Sequence, residues 1–556
     1  MSTPFYLASL RRLLALTYPL WASASFVFAQ SGEPVSPYDN SAPPAAASGV
    51  AAPHDAPPTA PLRLTPVEYA APPAGPTWEE YQDVLKRLAE TERRLDASAA
   101  ASPAQPGHFI DPKRVVADGN PAVPSSEQRL SALERLLGKK DDSPHFPSVR
   151  LSGFMHVDDG YFSQDANSVA TLGNIQDGVG FRRARLQALG SVAEFTNYSI
   201  EMDFATAGRP SFMDVWGEQT HVPILGNVRI GHYRQPLSMD ALTSIRQLQF
   251  LERSLPFQAF VPFRRVGVMA YDKSDDQMWT WAYGVYRTGG FANAPLGDDR
   301  FATDIGNSGG ASFSSRVTHL LHYDEPANGR YLLHVGGGYN YSRISGSETG
   351  GNYYEARVIP EFFVGDPAGG GTTANGTPVF ADTGRLASHQ FQIFNLELAG
   401  QYGSFNFQAE YMGTLVDQIT GSNVYYDGAY FQAGYFLTGE NRTYNRLTGV
   451  LDRVTPFTDF FSLGRKERVG GWGAWELAGR WSYVNLSNPN AVVGAPAGGP
   501  PPVPNPGRMN DTTLGLNWYW NTYTKIQFNW IHVFLDNAIH GNSNTDIFAT
   551  RFQVEF

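Results

Sequence analysis

The stretch FRRARLQALG, Phe181 to Gly190, sets Arg182, Arg183 and Arg185 within four consecutive positions. A guanidinium donates two parallel hydrogen bonds from a planar fork and keeps its charge, so such a cluster can hold a phosphate-like oxyanion. Alternation in an extended chain puts Arg183, Arg185 and Gln187 on one face and Arg182, Ala184, Leu186 and Ala188 on the other. In a membrane-spanning strand an arginine facing mid-bilayer lipid costs about 2 to 4 kcal/mol, so the Ala184 and Leu186 face is the lipid side and Arg182 belongs at an interface or a bulge. A blander role competes. With the next turn centred near Ala193, Arg185 faces Glu201 and Arg183 faces Asp203, as ion pairs within a wall. Other chemistry is thinly represented. The sequence has no nucleophile elbow, no His-Glu-x-x-His helix and no glycine-rich phosphate loop before a helix. DDGYF and GDDR could hold a divalent cation, but read as solvated loop acids. The absence of cysteine removes thiolate metal sites and thiol catalysis. The expectation is a chain that is not an enzyme and uses no cofactor.

The elements that carry these arginines follow from a period of two that runs from Pro147 to the end. NYSIEMDF sets Tyr198, Ile200, Met202 and Phe204 against Asn197, Ser199, Glu201 and Asp203, and SFNFQAEYMGTLV, GAWELAGRWSYV and TTLGLNWYW repeat the pattern. Segments of about 9 to 13 residues with Trp and Tyr at their ends suit tilted strands crossing a bilayer, whereas sandwich strands average about 5 to 6. The polar face then lines an aqueous lumen. The final strand FATRFQVEF is amphipathic up to Phe556, the form of a recognition signal for the barrel-assembly machinery. Counting segments and requiring an even number predicts an all-β, antiparallel transmembrane barrel of about 16 strands, wide enough for a water channel. Between NVRIGHY and RVGVMAY, the connection from Arg234 to Arg264 is too apolar for a solvated loop, with Leu237, Met239, Leu242, Ile245, Leu248, Phe250, Leu251, Leu255 and Phe257. Folding inward to narrow the pore would cover it; packing on a neighbouring subunit is the alternative.

Upstream of the barrel segment, residues 146–556, the texture differs. Arg11 and Arg12, an apolar run and Val27-Phe28-Ala29 read as a signal peptide over 1–29. Residues 30–76 are a Pro/Ala-rich linker that cannot bury enough apolar area to order itself. Residues 77–145 hold two short heptad-spaced segments, coiled-coil-like helices that either tether and oligomerise or pack nowhere. A net charge of −11 argues against nucleic acid as a partner. Mean hydropathy is −0.30, and the chain has no run of 18 apolar residues beyond its N-terminus, which excludes a helical membrane protein.

From Ser148 to Phe556 the segments FRRARLQALG, IEMDFA, FMDVWGE, RIGHYRQPLSMDALTS, FLERS, FVPFRRVGV, YFQAGYFLTGENRTYN, GAWELAGRWSYVNL and TLGLNWYWNTYTKIQFNW resemble, in this order, the phosphate-selective porin O and P family. The resemblance implies a bacterial outer-membrane porin, usually a homotrimer, passing small inorganic anions. It carries the pore-lining arginine pair onto Arg182 and Arg183, a loop arginine onto Arg253 and a pore acid onto Asp214; Arg264 of FVPFRRVGV joins the candidate set. Two features depart from the family. Arg185 stands where an aromatic is common, and the barrel segment has three lysines, Lys273, Lys466 and Lys525. With 29 basic against 37 acidic residues from Val149 to Phe556, bulk charge does not favour anions; placement must. A general or cation-preferring diffusion pore, or a structural protein tying the membrane to the layer beneath, remain the alternatives.

Overall fold

A computed structural model of the chain describes residues 146–205, 210–288, 310–344, 353–362, 376–460, 470–493 and 506–556. The signal peptide, linker and heptad segments expected over 1–145 lie outside them, as does GDDR. Sixteen long strands succeed one another: β1 (Arg150–Gln164), β2 (Gly178–Ala193), β3 (Thr196–Asp203), β4 (Ser211–Val222), β5 (Gly226–Arg234), β6 (Arg264–Lys273), β7 (Trp279–Arg287), β8 (Ala311–Tyr323), β9 (Tyr331–Arg343), β10 (Leu386–Tyr402), β11 (Phe405–Gln418), β12 (Val424–Phe436), β13 (Ala474–Asn485), β14 (Gly507–Asn521), β15 (Thr524–Asn537) and β16 (Gly541–Glu555). Each pairs antiparallel with its neighbour, and β16 returns to β1 from Phe154↔Glu555 to Gln164↔Thr545. Closure leaves no unpaired edge among these strands, the condition for a sheet to stand in lipid. At the seam, Phe556 exchanges backbone hydrogen bonds with Gly153 (2.9 and 3.0 Å). A Cβ at Gly153 would lie 2.5 Å from the Phe556 ring, so this position needs glycine.

The outward side chains are apolar and exposed, among them Val179, Leu186, Leu396, Leu514, Trp481 and Phe548. Aromatic pairs sit near strand ends: Trp475 stacks on Trp518 at 4.8 Å and Tyr331 meets Tyr402 at 5.1 Å, as an interfacial girdle requires. Ser199, Glu201 and Asp203 turn inward and are buried, as alternation predicts.

The lumen departs from an all-polar lining. At the loop-side ends of β10 to β15 many inward positions are apolar, with Phe391, Ile393, Met412, Val416, Ile531 and Val533 all buried, interrupted by buried Thr414, Ser482 and Asp511. They pack with Leu255–Phe260, a short helix in the connection 235–263, and with Tyr354, Val358, Phe362 and Phe380 of the segment between β9 and β10. Loop-side lumen on this flank is therefore filled by a packed, largely apolar core. The inward position of 235–263, expected from its apolar content, is confirmed: Leu237, Met239, Phe250, Leu251 and Phe260 are at most 1% exposed.

A second inward element enters from the opposite mouth. The connection from β12 to β13 carries the hairpin Arg442–Asn445 with Val450–Val454. Its Arg446 donates to the carbonyls of Gln277 (3.2 Å) and Asp276 (2.9 Å) and pairs with Glu325 (2.6 Å), in the turns after β6 and β8. Arg316 of β8 holds Glu397 through three contacts of 2.7 to 3.1 Å and donates to the carbonyls of Thr448 (2.7 Å) and Gly449 (2.8 Å). Gly449 has φ +63 and a built Cβ would meet Thr318 Oγ1 at 2.8 Å, so the tip fits only because that residue has no side chain.

Candidate functional site

In β2 the register slips between His156 and Val157 of β1: His156 faces Arg183 and Val157 faces Phe181, leaving Arg182 as the extra residue of a bulge. The bulge turns two successive arginines toward the lumen. Both seize one loop carboxylate. Glu252 Oε1 accepts from Arg182 Nε (3.1 Å), Arg183 Nη1 (2.9 Å) and Arg551 Nη2 (2.8 Å), while its Oε2 accepts from Arg183 Nη2 (2.7 Å). Arg551 also grips Asp158 across the β1–β16 seam (2.7 and 2.6 Å) and donates to the Leu251 carbonyl. Burial alone would raise the Glu252 carboxyl, but the guanidiniums of Arg182, Arg183 and Arg551 hold it well below the usual carboxylate range.

The wall pairs differ from the sequence expectation by one inward step. The turn falls at Glu194 and Phe195, because Ala193 pairs with Thr196, so Arg185 faces Asp203 and Gln187 faces Glu201. Arg185 Nε donates to Asp203 (2.8 Å) and its Nη1 lies 3.8 Å from Glu201. Arg183 has no carboxylate opposite on β3 and turns to the loop instead. Asp214 of β4 accepts from Arg264 of β6 (2.7 Å), whose Nη2 is 3.9 Å from Glu201. Arg253, expected beside the passage, is placed otherwise: it is buried within its own loop, donates to the carbonyls of Asp240 and Thr243 (both 2.8 Å) and packs over Phe257 and Phe263. It braces the constriction from inside.

Exposure within these pairs is uneven. Arg182 keeps 22% of its side chain open against 7% for Glu252, and Arg229 keeps 22% against 7% for Glu218. Arg246 of the inward loop and Arg453 of the hairpin share Glu555, at 3.8 and 2.6 Å; they are 27% and 29% open, the acid 4%. In these pairs the carboxylate lies behind and the guanidinium faces water, whereas at the turn after β8 the order reverses, with Arg446 14% and Glu325 65% open. Arg185 with Glu201, and Arg264 with Asp214, are more evenly matched at 10 to 15%. Glu252, Arg246, Arg453 and Arg551 were not singled out from sequence. Arg551 was legible as a lumen-side residue of FATRFQVEF; the convergence of the others depends on where two long connections fold. Among the described residues no cluster of acids and histidines suits a metal ion.

The family model described as phosphate-selective porin O and P matches residues 149–556. A Caulobacter vibrioides protein described as uncharacterized is 27% identical over 445 residues, 78% of this chain and 80% of that one. Porin O of Pseudomonas aeruginosa is 25% identical over 441 residues, 74% of this chain and 88% of its own length. Among solved structures, an anion-selective porin from Comamonas acidovorans superposes with a TM-score of 0.42 at 12% identity, covering 73% of this chain and 99% of that one.

Proposed function

Because the chain belongs to the phosphate-selective porin O and P family and is a bacterial outer-membrane porin, we propose that it passes small anions, phosphate and polyphosphate among them, by passive diffusion along an arginine-edged lane. The lane runs between the inward loop and the wall from β2 to β6, past Arg182, Arg185, Arg264 and Arg246 to Arg453. One observation carries this reading: where Arg182 meets Glu252 and where Arg246 and Arg453 meet Glu555, the guanidinium meets water and the carboxylate lies behind it. A solute in the lane feels the nearer charge more, since the interaction falls with distance and with screening. The buried acids stop the arginines from swinging and keep the field fixed. The chain's acidic balance is then no obstacle. Homotrimer formation in outer-membrane lipid and use of Phe556 by the barrel-assembly machinery belong to the same proposal.

The test is the reversal potential of single channels in asymmetric potassium chloride and potassium phosphate. Anion preference in both, with phosphate slowing chloride current at saturable concentrations, is expected. Potassium preference, with no effect of phosphate, would reject the reading and leave a general diffusion pore of the same fold.

A further inference from the structure

The turn between β4 and β5 is apolar where the next two short turns are polar. Those after β6 and β8 read KSDDQM and DEPANGR, whereas the one after β4 reads VPILG. Its Ile224 is 97% exposed, and Leu225 is exposed as well. Ile224 also holds φ +69, a left-handed conformation that glycine or asparagine takes readily and a β-branched residue takes only at a cost. Phe195, at the neighbouring β2–β3 turn, is exposed too, with its ring 5.0 Å from that of His221. Lipid does not account for these tips. The outward pair Thr196 and Gln219, joined at 2.8 Å, is polar and separates them from the apolar outward pair Ile200 and Val215. An exposed apolar patch beyond the lipid-facing band marks a contact surface.

The chain enters the barrel from the direction of this patch. The carbonyl of Ser148 lies over the outer face of β2, where a side chain at Gly190 would collide with it, and accepts from the Tyr198 hydroxyl of β3 (3.1 Å). Phe146, the first described residue, is exposed. Eight residues before it ends the heptad-spaced segment SSEQRLSALERLLG, Ser125 to Gly138, outside the described residues. In a helix, Leu130, Leu133 and Leu137 share one face, and the first and last of them stand about 10 Å apart. Turn tips two strands apart are separated by about the same 10 Å. Eight extended residues reach about 26 Å, enough to lay that face on both tips. A helix this short needs such cover, since it does not hold in water alone.

We propose that residues 125–138 dock as an amphipathic helix on the short-turn rim, with Leu130, Leu133 and Leu137 covering Phe195, Ile224 and Leu225 of the same chain. The inference goes beyond permeation and is independent of which ion the pore passes. Docking fixes Ser125 at the rim, clear of the lumen mouth.

The chain has no cysteine, so cysteine pairs placed in the full-length protein in phospholipid nanodiscs report the contact directly. Leu133→Cys with Ile224→Cys should form a disulfide within one chain on mild oxidation. Its rate should exceed that of Arg135→Cys with Ile224→Cys by about tenfold or more, because Arg135 falls on the opposite helical face. Ile224→Asn keeps the left-handed turn without strain and removes the apolar contact. In I224N, tryptic cleavage after Arg129 and Arg135 should be roughly tenfold faster than in wild type, with cleavage after Arg63 of the linker as the unchanged reference. Unchanged single-channel conductance shows that the I224N barrel is intact. Equal disulfide rates for the two pairs, or equal cleavage in I224N and wild type, overturn the proposal. A disulfide that joins two chains overturns it as well, by giving the patch to a second copy.

Discussion

At the scale of single residues, each arginine of the proposed lane is defined by its acid. Arg185 holds Asp203 at 2.8 Å and sits 3.8 Å from Glu201, so replacing it exposes two carboxylates rather than deleting one cation. Arg185→Gln is expected to lower the chloride-to-potassium permeability ratio severalfold, read as a shift in reversal potential, because the local field changes sign. An unchanged ratio would place the solute path elsewhere. That Arg183 and Arg185 face inward was legible in the sequence, since lipid penalises the alternative heavily. Their partners were not. The one-step error in the hairpin register came from placing the turn near Ala193 instead of at Glu194 and Phe195, and a two-residue change in pairing exchanges one acid for another without disturbing the polar face. FLERS drew attention to Arg253, yet its neighbour Glu252 makes the contacts to the barrel wall, while Arg253 turns back into the loop.

Among the elements, the strands and the inward loop were readable because each has a one-sided requirement: an apolar face must meet lipid, and an apolar connection must find cover. The hairpin at the other mouth carries no such mark. Its few apolar residues, Tyr444, Val450, Leu451 and Val454, are buried but too sparse to stand out, and it is also held by arginines donating to main-chain carbonyls, an interaction without a sequence signature. Nor did alternation reveal the packed core, because inward apolar residues of β10 to β15 keep the period of two and only shift its polarity. The hairpin narrows the short-turn mouth. Replacing residues 441–455 with a short Gly/Ser linker should raise single-channel conductance roughly twofold as the open cross-section grows, with the barrel still resisting detergent unless heated. Conductance that stays the same would show that ions bypass this element.

For the whole molecule, the expectation is that residues 30–145 are dispensable for the pore. The barrel strands, the seam and both inward elements all lie within 150–556. A chain keeping residues 1–29 and continuing from Phe146 should assemble, show heat modification and conduct as the full chain does; failure to assemble would give the heptad segments a part in oligomerisation. One feature of the closed barrel reaches further than permeation. The loop tip is fastened by residues of the second strand and of the last, and Arg551 at the same time ties the last strand to Asp158 of the first. Because β1 and β16 meet only where the sheet closes on itself, the fastening point does not exist until the cylinder is sealed. Sealing and filtering are therefore one event: a half-inserted chain has no seated filter to offer, and a finished one presents its restriction from the first moment it spans the membrane.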